Sequence, residues 1–484
     1  MENWARGIAC IVLLAISTAE IRCEPELRDQ ARAAMITATQ FFRSKVATNG
    51  GYLWVYSPDL SVRQGETPAS ETTIWIQPPG TPSIGMVYLD AYAATGDTLF
   101  LNGAREAARA LVWGQLASGG WDYRIDFDPA ESNRWHYRRD VEAGDRETGN
   151  RRNRTTLDDN NSQSAFRLLM RVDKVEKFAD AEIHSAVKYG LEALLRAQYP
   201  NGAWPQGYDA FPRAEDFPVK KARYPQTWSW EFPGKRYYTF YTFNDNSIAD
   251  IMDMMVEAYQ TYGDQRYLDA AKRGGDFMIL AQMPEPQPVW AQQYNIDMEP
   301  AWARKFEPPA VTGSETFGIM RALLDLYVVT GEERFLAPIP PALAWAKRSL
   351  LPDGRLARFY ELNTNKPLYF KRDKYVLTYD DSDMPTHYAF KVGGNQIKGI
   401  EGSYHRILSE ARQDILSKRN QFRPVEEAQV RRIVSALDDR GRWITTARFQ
   451  EPDRPIEHSE AEAISCRAFI QNMSILARYL EMGK

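Results

Sequence analysis

Apolar positions along the chain recur at helical spacing. Ala186, Tyr189, Leu191, Leu194 and Leu195 run down to Gln198, and Ile248, Ile251, Met255, Ala258 and Tyr259 form a second stripe. Strand-like alternation is scarce, so the spacing predicts an all-helical chain. Three of the helical runs end alike, in Tyr92-Ala93-Ala94-Thr95-Gly96-Asp97, Tyr259-Gln260-Thr261-Tyr262-Gly263-Asp264 and Tyr327-Val328-Val329-Thr330-Gly331-Glu332. Glycine just past a helix adopts the left-handed conformation cheaply, and the acidic residue after it can cap the next helix. Each is therefore expected to be a helix-turn-helix joint.

A second recurring element separates the hairpins. Gly50-Gly51-Tyr52-Leu53-Trp54, Gly119-Gly120-Trp121-Asp122, Asn201-Gly202-Ala203-Trp204-Pro205, Pro288-Val289-Trp290-Ala291, Asp353-Gly354-Arg355-Leu356 and Arg440-Gly441-Arg442-Trp443 are loops of one character. Their intervals match the length of two antiparallel helices with their connections. Helical hairpins repeated with a Gly-aromatic loop at the same end predict an α/α toroid, a partial or complete ring with long loops on one face. That face is where function is expected. Two stretches interrupt the repeat: residues 124–156 are rich in arginine (Arg134, Arg138, Arg139, Arg146, Arg151, Arg152, Arg154), and residues 207–243 are crowded with aromatics such as Trp228, Trp230, Tyr237 and Tyr238. Loops of this length in a compact domain are usually functional or disordered, and the aromatic density of the second favours order.

Composition excludes several classes. With 44% hydrophobic residues the 484-residue chain can bury a large core, and a net charge of -4 with both signs dispersed shows no basic tail of the nucleic-acid-binding kind. The N-terminus carries Arg6, an apolar stretch from Ile8 to Ile16, then Ser17-Thr18-Ala19. This predicts a secretory signal within residues 1–23, cleavage following Ala19, and a single domain over 24–484 without a membrane span, secreted or periplasmic. Cys10, Cys23 and Cys466 are too few for a disulfide framework or a cysteine metal site, and spacing does not decide whether Cys23 and Cys466 pair.

Candidate chemistry lies at helix starts. Thr156-Leu157-Asp158-Asp159-Asn160-Asn161-Ser162 and Phe243-Asn244-Asp245-Asn246-Ser247 each place carboxylate and amide oxygens before a helical run. Taken alone, such clusters are more often N-caps than metal sites. Adjacent carboxylates repel, however, and a hard cation such as calcium takes these oxygen types. Arginines stand beside aromatics at Ala303-Arg304-Lys305-Phe306-Glu307-Pro308-Pro309, Ala357-Arg358-Phe359-Tyr360-Glu361 and Lys371-Arg372-Asp373. Guanidinium groups grip carboxylates in a fork, although a lone arginine of this kind is most often in a structural ion pair.

Together with Ala197-Gln198-Tyr199-Pro200-Asn201-Gly202-Ala203-Trp204-Pro205-Gln206, Gly313-Ser314-Glu315 and Thr364-Asn365-Lys366-Pro367, these segments resemble the pectate lyases of polysaccharide lyase family ten, most clearly from Thr156 to Arg372. The resemblance implies calcium held between enzyme and polygalacturonate, with Asp158 and Asp245 as calcium-binding aspartates, Arg304 as the base, and Arg358 and Arg372 gripping substrate. Asp159 stands where the family commonly has Asn and becomes a third candidate ligand. Lys366 stands where an Arg is usual.

The residue types suit β-elimination. The proton to be removed lies next to a carboxylate whose charge opposes a carbanion-like transition state, and calcium with arginine withdraws that charge. A glycoside hydrolase using Asp158 or Asp159 with Asp245 or Glu315 is the rival on the same ring. A polyuronate-binding protein without turnover is the other.

Overall fold

The computed structural model describes residues 25–234, 240–372, 374–419, 424–451 and 454–482. The expected signal segment, Cys10, Cys23, Tyr237, Tyr238 and Asp373 lie outside the described residues. No helix among those described is long and apolar enough to cross a membrane.

The helices Thr81–Thr95, Asn161–Val175, Ser247–Tyr262, Glu315–Thr330 and Asn395–Ser409 pack side by side in chain order. Cys466–Glu481 packs on the other side of Thr81–Thr95, so the last long helix meets the first of the row. Each of the first three is followed by an outer helix, Thr98–Trp113, Ala181–Ala197 or Gln265–Ala281, packed against it. This is the α/α toroid expected from the hairpin repeat. Burial tells the layers apart. Asn161–Val175 is buried on nearly every side, whereas Thr98–Trp113 hides mainly one face (Phe100, Ala104, Ala107, Ala108, Leu111). On Ala181–Ala197 the stripe is narrower than expected, since Tyr189 is exposed and its hydroxyl donates to the Ala117 carbonyl at 2.6 Å.

The joints are built as their residues dictate. Gly96, Gly263 and Gly331 all have φ between 70° and 75°, and each amide donates to the carbonyl of a tyrosine four residues back. Asp97 and Asp264 cap the following helices. Glu332 does not, because a 3₁₀ turn, Glu333–Phe335, follows it instead of a long helix. Four of the six Gly-aromatic loops are anchored by one repeated bond. The indoles of Trp121, Trp204, Trp290 and Trp443 donate to Leu111, Leu194, Met278 and Ile433 carbonyls at 2.7–2.9 Å, each an acceptor in the last turn of the preceding helix.

Strands are more frequent than the sequence predicts, but most span two to four residues. Three matter for the site: Thr155–Thr156 pairs with Gly207–Tyr208, Tyr241–Thr242 with Gln293–Tyr294, and Val311–Thr312 with Phe359–Tyr360. Each clamps the chain just before a helix of the inner row. A longer antiparallel hairpin, Ile444–Glu451 with Arg454–Ser465, was not expected. Arg448, Glu460 and Glu462 lie on its exposed, polar side.

Candidate active site

Two turns of the same shape start the helices Asn161–Val175 and Ser247–Tyr262. In both, a threonine ending a short strand is followed two residues later by Asx, then Asp, then Asn: Thr156, Asp158, Asp159, Asn160 and Thr242, Asn244, Asp245, Asn246. Asp159 and Asp245 share φ 49°, and Asn160 and Asn246 follow at 56° and 57°. Short amide and carboxylate residues tolerate this left-handed region, which explains why Asx residues fill it. The structural counterpart of Asp245 is thus Asp159, and that of Asp158 is Asn244. Neither Asn160 nor Asn246, which stand at the N-cap positions, caps its helix through its side chain. The clusters are not N-caps, and their oxygens point elsewhere.

They point at one another. Oxygens of Asp158, Asp159 and Asp245 lie within 4.8 Å of each other. Burial first, and then the charge of Asp158, pushes the Asp159 carboxyl up to about 7 and that of Asp245 up to about 6. Asp245 is open to water yet walled in by protein, as expected in a groove. Burial and Asp158 also raise Glu66. Few hydrogen bonds offset the repulsion: Tyr123 Oη donates to Asp158 Oδ2 at 3.2 Å, Gln77 Nε2 to Asp159 Oδ2 at 2.8 Å, and Asn244 Nδ2 to Asp245 Oδ2. Asp158 Oδ1 and Asn160 Oδ1 are buried with no hydrogen-bond partner among the described residues. Three converging carboxylates with orphan oxygens fit an oxygen-loving divalent cation such as calcium.

Arg304 faces this cluster. Its charge pulls down the carboxyls of both Asp159 and Asp245, and Arg358 acts on Asp245 as well. The Arg304 side chain is 39% exposed, with Nε and Nη2 held by the buried Glu307 at 2.9 and 2.5 Å. Arg358 is largely enclosed, donates to Glu315 Oε1 at 2.5 Å and lies 4.2 Å from the Tyr388 ring centre. Its Nε and Glu315 Oε2 have no partner among the described residues. A chain of polar contacts leads from metal site to guanidinium: Asn244 donates to Asp245, Gln292 Nε2 to Asn244 Oδ1 at 3.2 Å, Tyr388 Oη to Glu307 Oε1 at 2.9 Å with Gln292 Oε1 as the more distant alternative acceptor at 3.5 Å, and Arg304 donates to Glu307.

The candidates are thus brought together with one exception. Arg372 is half exposed and pairs with Asp383 at 3.2 Å, and no contact ties it to the cluster among the described residues. Glu315, the carboxylate available to a hydrolase, is engaged by Arg358. Tyr388, Gln292, Gln77 and Tyr123 were not picked out from sequence. Tyr123 and Gln292 each stand two positions past the tryptophan of a recurring loop, a signal that could have found them, whereas no local pattern marks Tyr388.

Residues 130–356 match the family model described as pectic acid lyase, a span that carries the three aspartates and Arg304 and ends just before Arg358. No curated protein matches the chain. Among solved structures, a family 10 polysaccharide lyase from Cellvibrio cellulosa is similar at 22% identity over 66% of this chain and 98% of its own, with a TM-score of 0.45. An aspartate-to-alanine mutant of a family 10 polysaccharide lyase from the same organism, in complex with trigalacturonic acid, aligns over the same shares at 22% identity with a TM-score of 0.44. Cellobiose 2-epimerase from Bacillus thermoamylovorans is similar at 13% identity over 95% of this chain and all of its own, with a TM-score of 0.45.

Proposed function

Starting from a polysaccharide lyase whose residues 130–356 fit the pectic acid lyase family, we propose that it is exported and cleaves polygalacturonate by calcium-dependent β-elimination with Arg304 as the base. The observation that carries this reading is the convergence of Asp158, Asp159 and Asp245 on one point that also feels the charge of Arg304. An acidic sugar fits between an anionic metal pocket and a guanidinium only if a cation bridges it to the pocket.

Asp158, Asp159 and Asp245 would hold the ion, which when bound would withdraw charge from the uronate carboxylate. Arg358 would grip the same carboxylate, and Tyr388 and Glu315 fix the plane of its guanidinium. Arg304 takes the proton beside the carboxylate, the electron pair forms the ring double bond, and the glycosidic carbon–oxygen bond breaks. Glu307 orients Arg304 through Nε and Nη2. A carboxylate partner also favours the protonated guanidinium, so turnover rises into the alkaline range. For Arg372 to grip substrate, its side chain has to leave Asp383. The test is ultraviolet detection of unsaturated products from polygalacturonate. Absorbance that grows with calcium and stops with chelator supports the reading, while saturated products would replace it with hydrolysis.

A further inference from the structure

The arginine-rich insertion builds a wall that the proposed chemistry leaves unused. A cleft of about 480 Å³ opens beside the acidic cluster, lined by Asp158, Tyr123, Asn153, Arg152, Arg154 and Gln206 among others. That volume falls within the roughly 300–1,000 Å³ typical of small-ligand sites. Tyr123 belongs to both regions, since its hydroxyl donates to Asp158, so the cleft is continuous with the metal pocket.

The fold holds the segment that carries these arginines. The backbone of Arg152 is clamped on both sides, its amide donating to Arg134 and its carbonyl accepting from His136, both at 2.8 Å. Its exposed guanidinium lies 5.5 Å from the ring centre of the buried Trp135, whose indole donates to Asp122 at 2.7 Å. Asn153 is fixed by the Ser118 amide at 2.8 Å. Arg154 runs past Gly207, where an added Cβ would come within 2.9 Å of Nε. Arg151 plays a different part, pairing with Asp145 at 2.9 Å to tie the insertion to itself. Asp122 is already engaged by Trp135 and by the Tyr123 amide. Arg152 and Arg154 therefore line, with Asp209 among their neighbours, a cleft running out of the proposed cleavage site.

Resting on the polyuronate lyase reading, we propose that this cleft is a further subsite, in which Arg152 and Arg154 bind the carboxylate of a uronate beyond the sugar pair being cleaved. The enzyme then prefers chains long enough to reach it. A guanidinium–carboxylate contact of this kind changes affinity by roughly tenfold or more.

The experiment measures kcat/KM on galacturonate oligomers from trimer to hexamer, with calcium, for the wild type, R152Q, R154Q and R152Q/R154Q. The hexamer-to-trimer ratio is expected to fall about tenfold in the double variant. A general structural defect lowers both rates together and leaves the ratio unmoved, so an unchanged ratio overturns the subsite. Calorimetric binding of the same oligomers separates the two readings. A wild type that forms no product but binds hexamer more tightly than trimer, with the difference lost in the double variant, keeps the subsite and refutes the lyase function. A wild type that neither binds nor cleaves the oligomers overturns both.

Discussion

Replacing Asp159 by Asn should stabilise the protein in chelator and weaken its response to calcium. Asn keeps the volume, retains an acceptor for Gln77 and tolerates the φ of 49° at this position. The carboxyl is raised from 3.8 to about 7 by burial and by Asp158, then by Asp245 and Glu66. A folded-state value above the unfolded one means that stability is greatest below about pH 3.8 and is lost as pH rises through about 7. The full shift corresponds to about 4 kcal/mol, but the side chain is partly open to water, and screening reduces this to about 1–2 kcal/mol. The variant, neutral throughout, should gain that amount at pH 8 in EDTA, and its advantage should shrink below about pH 7. Calcium at one hundred times its Kd should add about 2.7 kcal/mol to the wild type and clearly less to the variant. Chemical denaturation at pH 5.5 and 8, with EDTA and with calcium, reads all four corners. A variant less stable than the wild type in EDTA at pH 8, or with an equal calcium response, refutes the claim that Asp159 is a repelled carboxylate awaiting a cation.

Other perturbations probe the remaining links. Arg304→Ala should lower kcat by about a hundredfold or more while calorimetry finds oligogalacturonate binding largely kept; near-normal rates remove Arg304 from the mechanism. Tyr388→Phe keeps the ring over Arg358 but leaves Glu307 short of a donor, and should lower kcat about tenfold with KM little changed in steady-state assays. Gly202→Ala places a Cβ 2.0 Å from the Arg273 carbonyl at φ 94° and should cost about 3 kcal/mol or more in denaturant unfolding.

The hairpin plan was legible because it rests on local rules. Gly96, Gly263 and Gly331 end helices for reasons visible in each residue alone, and in four of the aromatic loops the indoles of Trp121, Trp204, Trp290 and Trp443 meet equivalent carbonyls in the last turn of a helix. The acidic turns were legible as clusters of oxygen ligands. Their geometry was not: only the shared left-handed backbone pairs Asp159 with Asp245. Side chains that reach across the fold were invisible for a similar reason. Tyr388 meets Glu307 from 81 positions away and Gln292 from 96, and neither separation leaves a trace in local pattern. Arg372 shows the converse, a residue in a suggestive segment that the folded chain pairs with Asp383.

The arrangement of cation, sugar and base is tested most directly by a crystal structure of the Arg304→Ala variant soaked with calcium and trigalacturonate. The account predicts one ion bound by Asp158, Asp159 and Asp245 and touching a sugar carboxylate, with the adjacent ring carbon facing the space vacated by the guanidinium. An ion bound elsewhere, or a sugar lying outside the groove between the aspartates and residue 304, would contradict it.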